Sequence, residues 1–326
     1  MNDVMVSINM PAYNHEKYIR QAIESVLMQK VNFKYEIIIG EDCSPDHTRE
    51  IVKEYEKKYP DIVKPIYHEK NVGVAKNGAE IREKCSGKYI ACLEGDDYWT
   101  DENKLQLQFD FLENNPQYVA VYHNVTCVDK HGVPKKELQN YTIRPTHTIT
   151  LQTILDNWEC LPGQTASIFY RNFWKTADQK TKDAYNNCKT NGDMRLAPLL
   201  AGLGSIYYME NNMADHRRVL HEGTSWSATH HKKNLLLFAY HSKREIAKMM
   251  KQILGIDIDW RKYTKDYPGK ALNLAIKKPT LTNLKIAHTL FWDCDCKAYT
   301  IKYVVKAILK KLRIIKGHES DDKPKI

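Results

Sequence analysis

Residues 89–100 read YIACLEGDDYWT, an apolar run that ends in three carboxylates within four residues. The apolar part has the composition of a buried strand, and Glu94, Asp96 and Asp97 follow it at once. Packed like charges repel each other unless they are protonated or bridged by a cation, so the arrangement lowers stability if nothing binds there. The stretch therefore predicts a buried strand with a candidate metal site at its carboxyl end.

Short β-rich runs alternate with helical patterns through the first half of the chain, which is typical of βαβ units and a mostly parallel sheet. Strands are predicted near residues 4–10, 35–41, 62–67, 89–94 and 118–128. Between the first two, residues 15–29 repeat apolar side chains at helical spacing. The sequence thus predicts an α/β fold with a mostly parallel central sheet and flanking helices.

The second half of the chain is less regular. A loop followed by a strand is predicted over 160–175, a helix over 193–203 with a strand after it, and a further helix over about 231–254. A length of 326 residues favours one main domain with an appended part. We place the main domain at 1–228 and a helical C-terminal extension at 229–326.

Polar clusters follow three of the predicted strands. Residues 11–14 (PAYN) follow the first strand, residues 41–48 (EDCSPDHT) the second, and residues 94–99 (EGDDYW) the fourth. Ligands of such sheets bind beyond the carboxyl ends of the strands, so we expect the three clusters to meet in one crevice. No glycine-rich phosphate loop follows a strand, which disfavours Rossmann-type cofactor sites and P-loops.

Acids at strand ends offer another way to hold a diphosphate, with Mg²⁺ or Mn²⁺ between carboxylate and phosphate oxygens. A metal in that place also neutralises a departing phosphate. Tyr13 is placed to stack on a base, and Asp42 to accept a hydrogen bond from a base N–H. These residues favour a nucleotide-diphosphate donor.

Composition indicates a protein of the cytoplasm. The eight cysteines are scattered without a CxxC pair, which is typical of reduced thiols. The first residues lack a basic segment and turn polar too soon for a signal-peptide core, and no apolar run of 18 residues spans a membrane. Basic residues cluster near the C-terminus without interleaved aromatic side chains, which disfavours nucleic-acid binding.

The segment 297–316 carries seven Lys or Arg and no acid, within a chain of net charge +9. On a helical wheel its apolar and basic side chains lie on different faces. Such a helix can lie on an anionic bilayer, which would place the protein at the inner face of a membrane. It can equally pack its apolar face on the protein and leave its lysines in water.

Five segments of the sequence also resemble a known family in their order and spacing. They are VSINMPAYNHEKYIRQAIESVLMQ, EIIIGEDCSPDHT, NVGVAKNGA, GKYIACLEGDDYW and KLQLQ. Together they resemble the inverting glycosyltransferases of family 2, which have the GT-A fold. The resemblance covers about residues 4–228, and it implies a donor half over about 1–129 and an acceptor half over about 130–228.

The resemblance implies roles for individual residues in binding the donor and the metal. The first nucleotide loop is Pro11, Ala12, Tyr13 and Asn14, and Asp42 contacts the base. Lys76 and Asn77 match a further donor-binding segment, with Lys76 where Arg is common. Asp96 matches the metal-binding acid of the DXD motif and therefore contacts metal and donor, with Asp97 and Glu94 in support.

The same resemblance implies a base that deprotonates the acceptor hydroxyl, supplied by an acid that opens a late helix. Here Asp193 opens the run GDMRLAPLL. The alternative is that Asp193 only caps that helix. The segment HRRVLHEGTSWS resembles the closing loop of the family, in which His221 would be a further metal ligand and Arg217 or Arg218 would face the diphosphate.

The implied function is metal-dependent, inverting transfer of a hexosyl or N-acetylhexosaminyl group from a nucleotide-sugar donor. UDP is the expected nucleotide, and the acceptor is a hydroxyl of a saccharide or lipid-linked saccharide, as in cell-surface polysaccharide synthesis. Two alternatives stay open: a sugar nucleotidyltransferase and a catalytically silent sugar-nucleotide binding protein. Release of nucleoside diphosphate, formation of pyrophosphate and simple binding distinguish the three.

Overall fold

The computed structural model describes residues 3–136, 147–158, 160–219, 235–293, 301, 302 and 305. The chain divides into two compact units, each with a core of its own. The first unit contains the described residues up to 219 together with 252–254, and the second contains the other described residues. The expected boundary near 228 lies outside the described residues, so it stays a prediction, as do the donor and acceptor halves.

One sheet forms the centre of the first unit. Its strands are β1 Val6–Ala12, β2 Tyr35–Glu41, β3 Val63–Tyr67, β4 Tyr89–Cys92, β5 Tyr98–Trp99, β6 Tyr118–Val128, β7 Thr148–Ile149, β8 Phe169–Arg171 and β9 Ser205–Arg217. Within the described residues these nine strands lie in the order β3-β2-β1-β4-β8-β6-β9-β5, and β7 pairs with β9. The five strands predicted from the sequence are present as β1 to β4 and β6.

Strands β1 to β4, β6 and β9 run in one direction. Strands β5, β7 and β8 run against them, since each pairs antiparallel with its neighbour. The mostly parallel sheet is therefore confirmed, with β8 as an antiparallel strand between β4 and β6. The carboxyl ends of β1, β2, β4 and β9 consequently reach the same edge of the sheet.

Helices flank the sheet on the connections between strands. They are α1 Ile19–Leu27, α2 Thr48–Lys58, α3 Val74–Lys84, α4 Lys104–Asn114, α5 Leu151–Asp156, α6 Gln179–Asn186 and α7 Gly192–Leu203. The helical spacing read in residues 15–29 is confirmed, because Ile19, Ala22, Ile23 and Val26 of α1 are fully buried. Each such aliphatic side chain stabilises the fold by ~1.5–3 kcal/mol when it leaves water.

The KLQLQ segment lies on α4 and joins that helix to the sheet. Lys104 and Gln108 lie one helical turn apart, and neither is exposed to solvent. The Lys104 ammonium donates to Gln108 Oε1 at 2.8 Å and lies 3.9 Å from the centre of the Trp99 ring. Gln108 in turn donates to the Ser167 carbonyl at 3.0 Å. The two polar side chains thus satisfy each other in the core and fix α4 against the strands.

The second unit is helical. Its helices are α8 Leu235–Leu254, whose last three residues belong to the first unit, α9 Tyr267–Lys277 and α10 Leu281–Asp293. Tyr240, Tyr267, Ala271 and Leu290 form the centre of its core. Within the described residues no helix is both long enough and apolar enough to span a bilayer. Of the predicted basic helix 297–316, only residues 301, 302 and 305 are described, and each is exposed.

Gly40 marks a point where β2 and α3 approach too closely for any side chain. A Cβ at position 40 would lie 2.0 Å from Asn77 Oδ1 and 2.6 Å from Ile81 Cδ1. We therefore expect Gly40→Ala to lower the free energy of unfolding by ~2 kcal/mol, because buried neighbours must move. The measurement is the urea midpoint of the purified chain.

Gly192→Ala is the matched control for this prediction. A Cβ there meets no atom within 4 Å, and position 192 opens α7. Position 192 is exposed and is the first residue of α7 rather than part of its interior, so Gly192→Ala should change the free energy of unfolding by less than ~0.5 kcal/mol. A Gly40→Ala chain as stable as the wild type would contradict the close packing of β2 on α3.

Candidate active site

The acid loop, residues 93–97, is fixed to the end of β1 by its main chain. The Leu93 N–H donates to the Asn9 carbonyl at 3.0 Å, and the Gly95 N–H donates to the Pro11 carbonyl at 3.1 Å. Gly95 is required at this position, because a Cβ would lie 2.7 Å from His15 Nδ1. The loop therefore turns back over β1 and holds its acids at the carboxyl edge of the sheet.

Asp97 connects this loop to β9. Its side chain is 1% exposed, and it accepts hydrogen bonds from the Arg217 N–H at 2.7 Å and from His216 Nδ1 at 3.0 Å. Burial alone lowers the pKa of His216, but the adjacent Asp97, followed by Glu94 and Asp96, raises it to about 9. His216 is therefore an imidazolium at neutral pH, paired with a carboxylate that the sequence assigns to the metal.

The side chain of Arg217 also contacts the acid loop. Its guanidinium donates to the main-chain carbonyl of Asp96 and to Gln21 Oε1 at 2.9 Å, and it lies 4.3 Å from the centre of the Tyr18 ring. Arg217 is buried, and its contact with a diphosphate stays a prediction. Arg218 is half-buried, and its N–H donates to the Val128 carbonyl at 2.8 Å.

Glu94 and Asp96 are the other two carboxyl groups of the acid loop. Burial, followed by the charges of Asp96 and Asp97, raises the pKa of Glu94 to about 8. Burial also raises the pKa of Asp96, while His15, whose Nε2 lies 3.9 Å from Asp96 Oδ2, lowers it in part. Burial is the main cause of both shifts, with neighbouring carboxylates adding to it, and a metal at this loop stays a prediction.

Asp193 lies in the first turn of α7, where it interacts electrostatically with Glu94 and His216. The N-cap of α7 is Asn191, so Asp193 is not the cap of its helix. Its carboxylate accepts from the Met194 N–H at 2.7 Å. Burial raises the pKa of Asp193, which also interacts electrostatically with Glu94 and His216. The structure thus brings Asp193 to the acid loop, from which it is separated by nearly 100 residues.

The start of α7 is fixed by a buried cation–π pair. Arg195 stacks on Tyr185 with 4.4 Å between the guanidinium carbon and the ring centre. Its guanidinium donates to the carbonyls of Tyr185 and Cys188 at 3.0 and 2.9 Å. The Tyr185 hydroxyl donates to the Gly192 carbonyl at 3.4 Å. These contacts therefore hold the turn before Asp193 against the start of α7.

The predicted nucleotide loop has a strained main chain. Pro11 and Ala12 end β1, and Tyr13 is half-buried beyond them. Asn14 has φ +61°, and its N–H donates to Ser44 Oγ at 3.0 Å, while Cys43 in the opposite loop has φ +55°. Positive φ at residues other than Gly is uncommon and concentrates at functional sites.

The predicted donor residues of β2 and α3 are engaged with the main chain. Asp42 is 3% exposed and accepts from the N–H groups of Val72 and Gly73 at 2.7 and 2.9 Å. Asn77 is buried and donates to the Gly40 carbonyl at 2.8 Å. Lys76 is exposed, 3.8 Å from Glu80. Asp42 thus holds the loop before α3, Asn77 joins α3 to β2, and their contact with a donor stays a prediction.

Two points concern a metal. Among the described residues, no three His, Cys, Asp or Glu side chains are grouped so that they could hold an ion. His221, the further ligand implied by the resemblance, lies outside the described residues. His216 was not predicted from the sequence, although the polar run DHRR at the end of an apolar strand was a signal that could have indicated it.

Known proteins resemble the chain in sequence. TuaG, a putative teichuronic acid biosynthesis glycosyltransferase of Bacillus subtilis, is 38% identical over 108 residues, 33% of this chain and 42% of TuaG. WfgD of Escherichia coli, named a UDP-Glc:alpha-D-GlcNAc-diphosphoundecaprenol beta-1,3-glucosyltransferase, is 32% identical over 161 residues, 48% of this chain and 62% of WfgD. The chain spans only 38% to 42% of the length of several curated relatives that it matches.

A solved structure resembles it in fold. S. aureus TarS 1-349 in complex with UDP-GlcNAc has a TM-score of 0.61 and 18% identity, over 95% of this chain and 85% of that one. The GT-A fold expected from the sequence is confirmed by this likeness. The model of the family described as Glycosyl transferase family 2 matches residues 7–177, more than half of the 326 residues. The chain therefore belongs to glycosyl transferase family 2.

Proposed function

We propose that the protein transfers a sugar, with inversion, from a nucleoside diphosphate to a hydroxyl of a saccharide or lipid-linked saccharide. The observation that carries this proposal is the placement of Asp193 in the first turn of α7, where its charge, after burial, Asp96 and Asp97, is among the causes that raise the pKa of Glu94 in the acid loop. A base and a diphosphate-binding edge are the two parts that such a transfer needs on opposite sides of the reacting carbon. Membership of a glycosyltransferase family supports the same reaction.

UDP is the proposed nucleotide. Two similar proteins are described with UDP-sugars, TarS as a complex with UDP-GlcNAc and WfgD by its name. In this chain the nucleotide would lie between the loops after β1 and β2, where Tyr13 is half-buried and Asp42 fixes the border. The sugar, whether glucosyl, N-acetylglucosaminyl or another group, is identified by screening UDP-sugars for release of UDP.

Glu94 and Asp96 suit a divalent cation. Burial is the main cause of their raised pKa values, and the neighbouring carboxylates raise them further. Mg²⁺ is commonly held by one or two carboxylates together with substrate phosphates rather than by an all-protein cage. Mg²⁺ or Mn²⁺ held there supplies charge neutralisation for the departing diphosphate. Asp97 is proposed to orient His216 rather than to bind the ion directly.

Asp193 is the proposed general base. Its carboxylate takes the proton of the acceptor hydroxyl as the oxygen attacks the anomeric carbon from the side opposite the diphosphate. A raised pKa suits this role, because a base works best when its pKa approaches the working pH. The His216 imidazolium stands near the same carboxylate and favours its ionised form.

The proposed location of the protein in the cell follows from the kind of acceptor that a similar protein uses. WfgD is named for an acceptor linked to diphosphoundecaprenol, and a similar lipid-linked acceptor here would place the protein at the inner face of a membrane. The basic helix predicted over 297–316 would hold it there by its charge. Two of its apolar positions, Ile301 and Val305, are 54% and 48% exposed and are therefore accessible to a bilayer.

Replacing the proposed metal-binding acid tests the donor site. We expect Asp96→Asn to reduce UDP release to background and to abolish the effect of Mn²⁺ on donor binding, because one ionised ligand is lost. Donor binding is measured by calorimetry with and without EDTA. Asp61→Asn, on an exposed loop, is the control and should behave as wild type. Full activity of Asp96→Asn, or of the wild type in EDTA, would refute the metal assignment.

Replacing the proposed base separates chemistry from binding. Asp193→Asn keeps the shape of the side chain, so donor affinity should be unchanged while turnover falls by ~10²–10⁴-fold, the usual contribution of general base catalysis. Single-turnover transfer and donor calorimetry measure the two quantities. Unchanged turnover would assign Asp193 a purely structural role. Pyrophosphate formation in place of UDP release would instead indicate a nucleotidyltransferase, and binding without either product a silent binding protein.

The Asp97–His216 pair predicts a dependence of stability on pH. The folded pKa of His216 is raised from 6.5 to about 9. Its contribution is therefore complete below pH 6.5 and is lost as the pH rises through 9, at most ~1.4 kcal/mol per pH unit for one proton. Urea unfolding in EDTA between pH 6 and 9.5 should show this fall in the wild type.

Removing the imidazole should remove that pH dependence. His216→Asn is expected to flatten the decline, whereas His131→Asn, at an exposed position, should leave it unchanged. Equal slopes in the wild type and His216→Asn would mean that His216 is neutral in the folded protein.

A further inference from the structure

Helix α10 has apolar side chains on two opposite faces. Ile286, Ala287 and Leu290 are buried in the core of the second unit. On the other side, Leu281 is 71% exposed, Leu284 50% and Trp292 61%. A helix of a globular protein normally carries polar residues on the face opposite its core, so the outer face of α10 departs from the usual pattern.

The exposed side chains form a continuous stripe. At 3.6 residues per turn, positions 281, 284, 285, 288 and 292 fall within about 100° of the helix circumference. We call Leu281, Leu284, Lys285, His288 and Trp292 the α10 stripe; all five are exposed. Ile276, near the end of α9, is also 47% exposed. Grouped apolar side chains of this size usually mark a binding surface rather than the scattered exposure of ordinary proteins.

The charges around the stripe indicate what it binds. Lys277, Lys278 and Lys285 are exposed, and no Asp or Glu occurs between residues 277 and 292. The whole chain carries a net charge of +9. A partner that fits must therefore offer apolar contact and negative charge together. The surface of an anionic bilayer has both, and Trp is favoured at the boundary between acyl chains and head groups.

We propose that the α10 stripe binds the surface of a membrane that contains anionic lipid. Leu281, Leu284 and Trp292 enter the interfacial region, and Lys277, Lys278 and Lys285 contact the lipid head groups. The site is separate from the predicted basic helix 297–316 and adds an apolar anchor to it. It does not depend on the proposed sugar transfer, because the binding involves only the second unit.

Vesicle binding by the full chain tests the proposal. The wild type is sedimented with vesicles of phosphatidylcholine alone or with added phosphatidylglycerol, at low and high salt. Binding should require the anionic lipid and weaken with salt. Leu284→Glu should lower the partition coefficient about tenfold, because it removes apolar contact and adds a like charge. Trp292→Ala should lower it without any change of charge.

Leu107→Glu is the matched control. Leu107 is also an exposed helical leucine, 41% exposed, on α4 of the first unit. It adds the same negative charge away from the stripe, so vesicle binding should match the wild type. Urea midpoints of all variants show whether folding is kept, and Trp292→Ala provides a second reading if Leu284→Glu is unstable.

Two outcomes would overturn the proposal. Equal vesicle binding by the wild type, Leu284→Glu and Trp292→Ala would exclude the α10 stripe from the membrane contact. A dimer in sedimentation equilibrium that Leu284→Glu dissociates, without vesicle binding by the wild type, would assign the stripe to a second copy of the chain. Donor calorimetry is unaffected in either case, so failure of this proposal is distinguishable from failure of the proposed reaction.

Discussion

The site depends on the carboxylate of Asp97, which joins the acid loop to the last strand of the sheet. Its donors, the Arg217 N–H and the His216 imidazole, lie 120 and 119 positions later in the chain. Removing one partner of a buried charge pair typically costs ~3–5 kcal/mol, so the two segments are strongly tied. Arg217 adds a second tie through the carbonyl of Asp96. Glu94 and Asp96 therefore have fixed positions only once β9 is in place.

This dependence explains which parts of the site the sequence predicts. The strands, the helix α1 and the position of the acids were predictable because alternation, helical spacing and strand ends involve only a few neighbouring residues. His216 was not, since its role comes from β9 pairing with β5, where Tyr98 lies opposite Asp215. A sequence read segment by segment does not show which polar run reaches which loop. The resemblance to a family supplied Asp193 for the same reason.

Asp42 and Asn77 illustrate a further limit. The resemblance predicts that both contact the donor, and the structure shows both engaged with main-chain groups, Asp42 with the loop before α3 and Asn77 with strand β2. A polar residue at a strand end serves either purpose, so motif spacing alone does not separate them. The carboxylate oxygens of Asp42 retain lone pairs beyond those two hydrogen bonds. Fixing the Gly73 loop and contacting a base are therefore compatible roles for one side chain.

The charge of the crevice constrains the order of binding. Burial opposes and the neighbouring carboxylates favour the imidazolium of His216, whose pKa is raised to about 9, and burial raises the pKa of Glu94 to about 8, so both groups favour their protonated forms at pH 7. Asp96 and Asp193, when ionised, leave two negative charges beside the Asp97–His216 pair. A nucleoside diphosphate is itself an anion, so its approach alone is opposed by both carboxylates. A divalent cation at the proposed site would offset that repulsion at Asp96 and would favour the ionised form of Glu94. For the proposed reaction, donor and cation are accordingly expected to bind together, with Asp193 left as the proposed base for the acceptor hydroxyl.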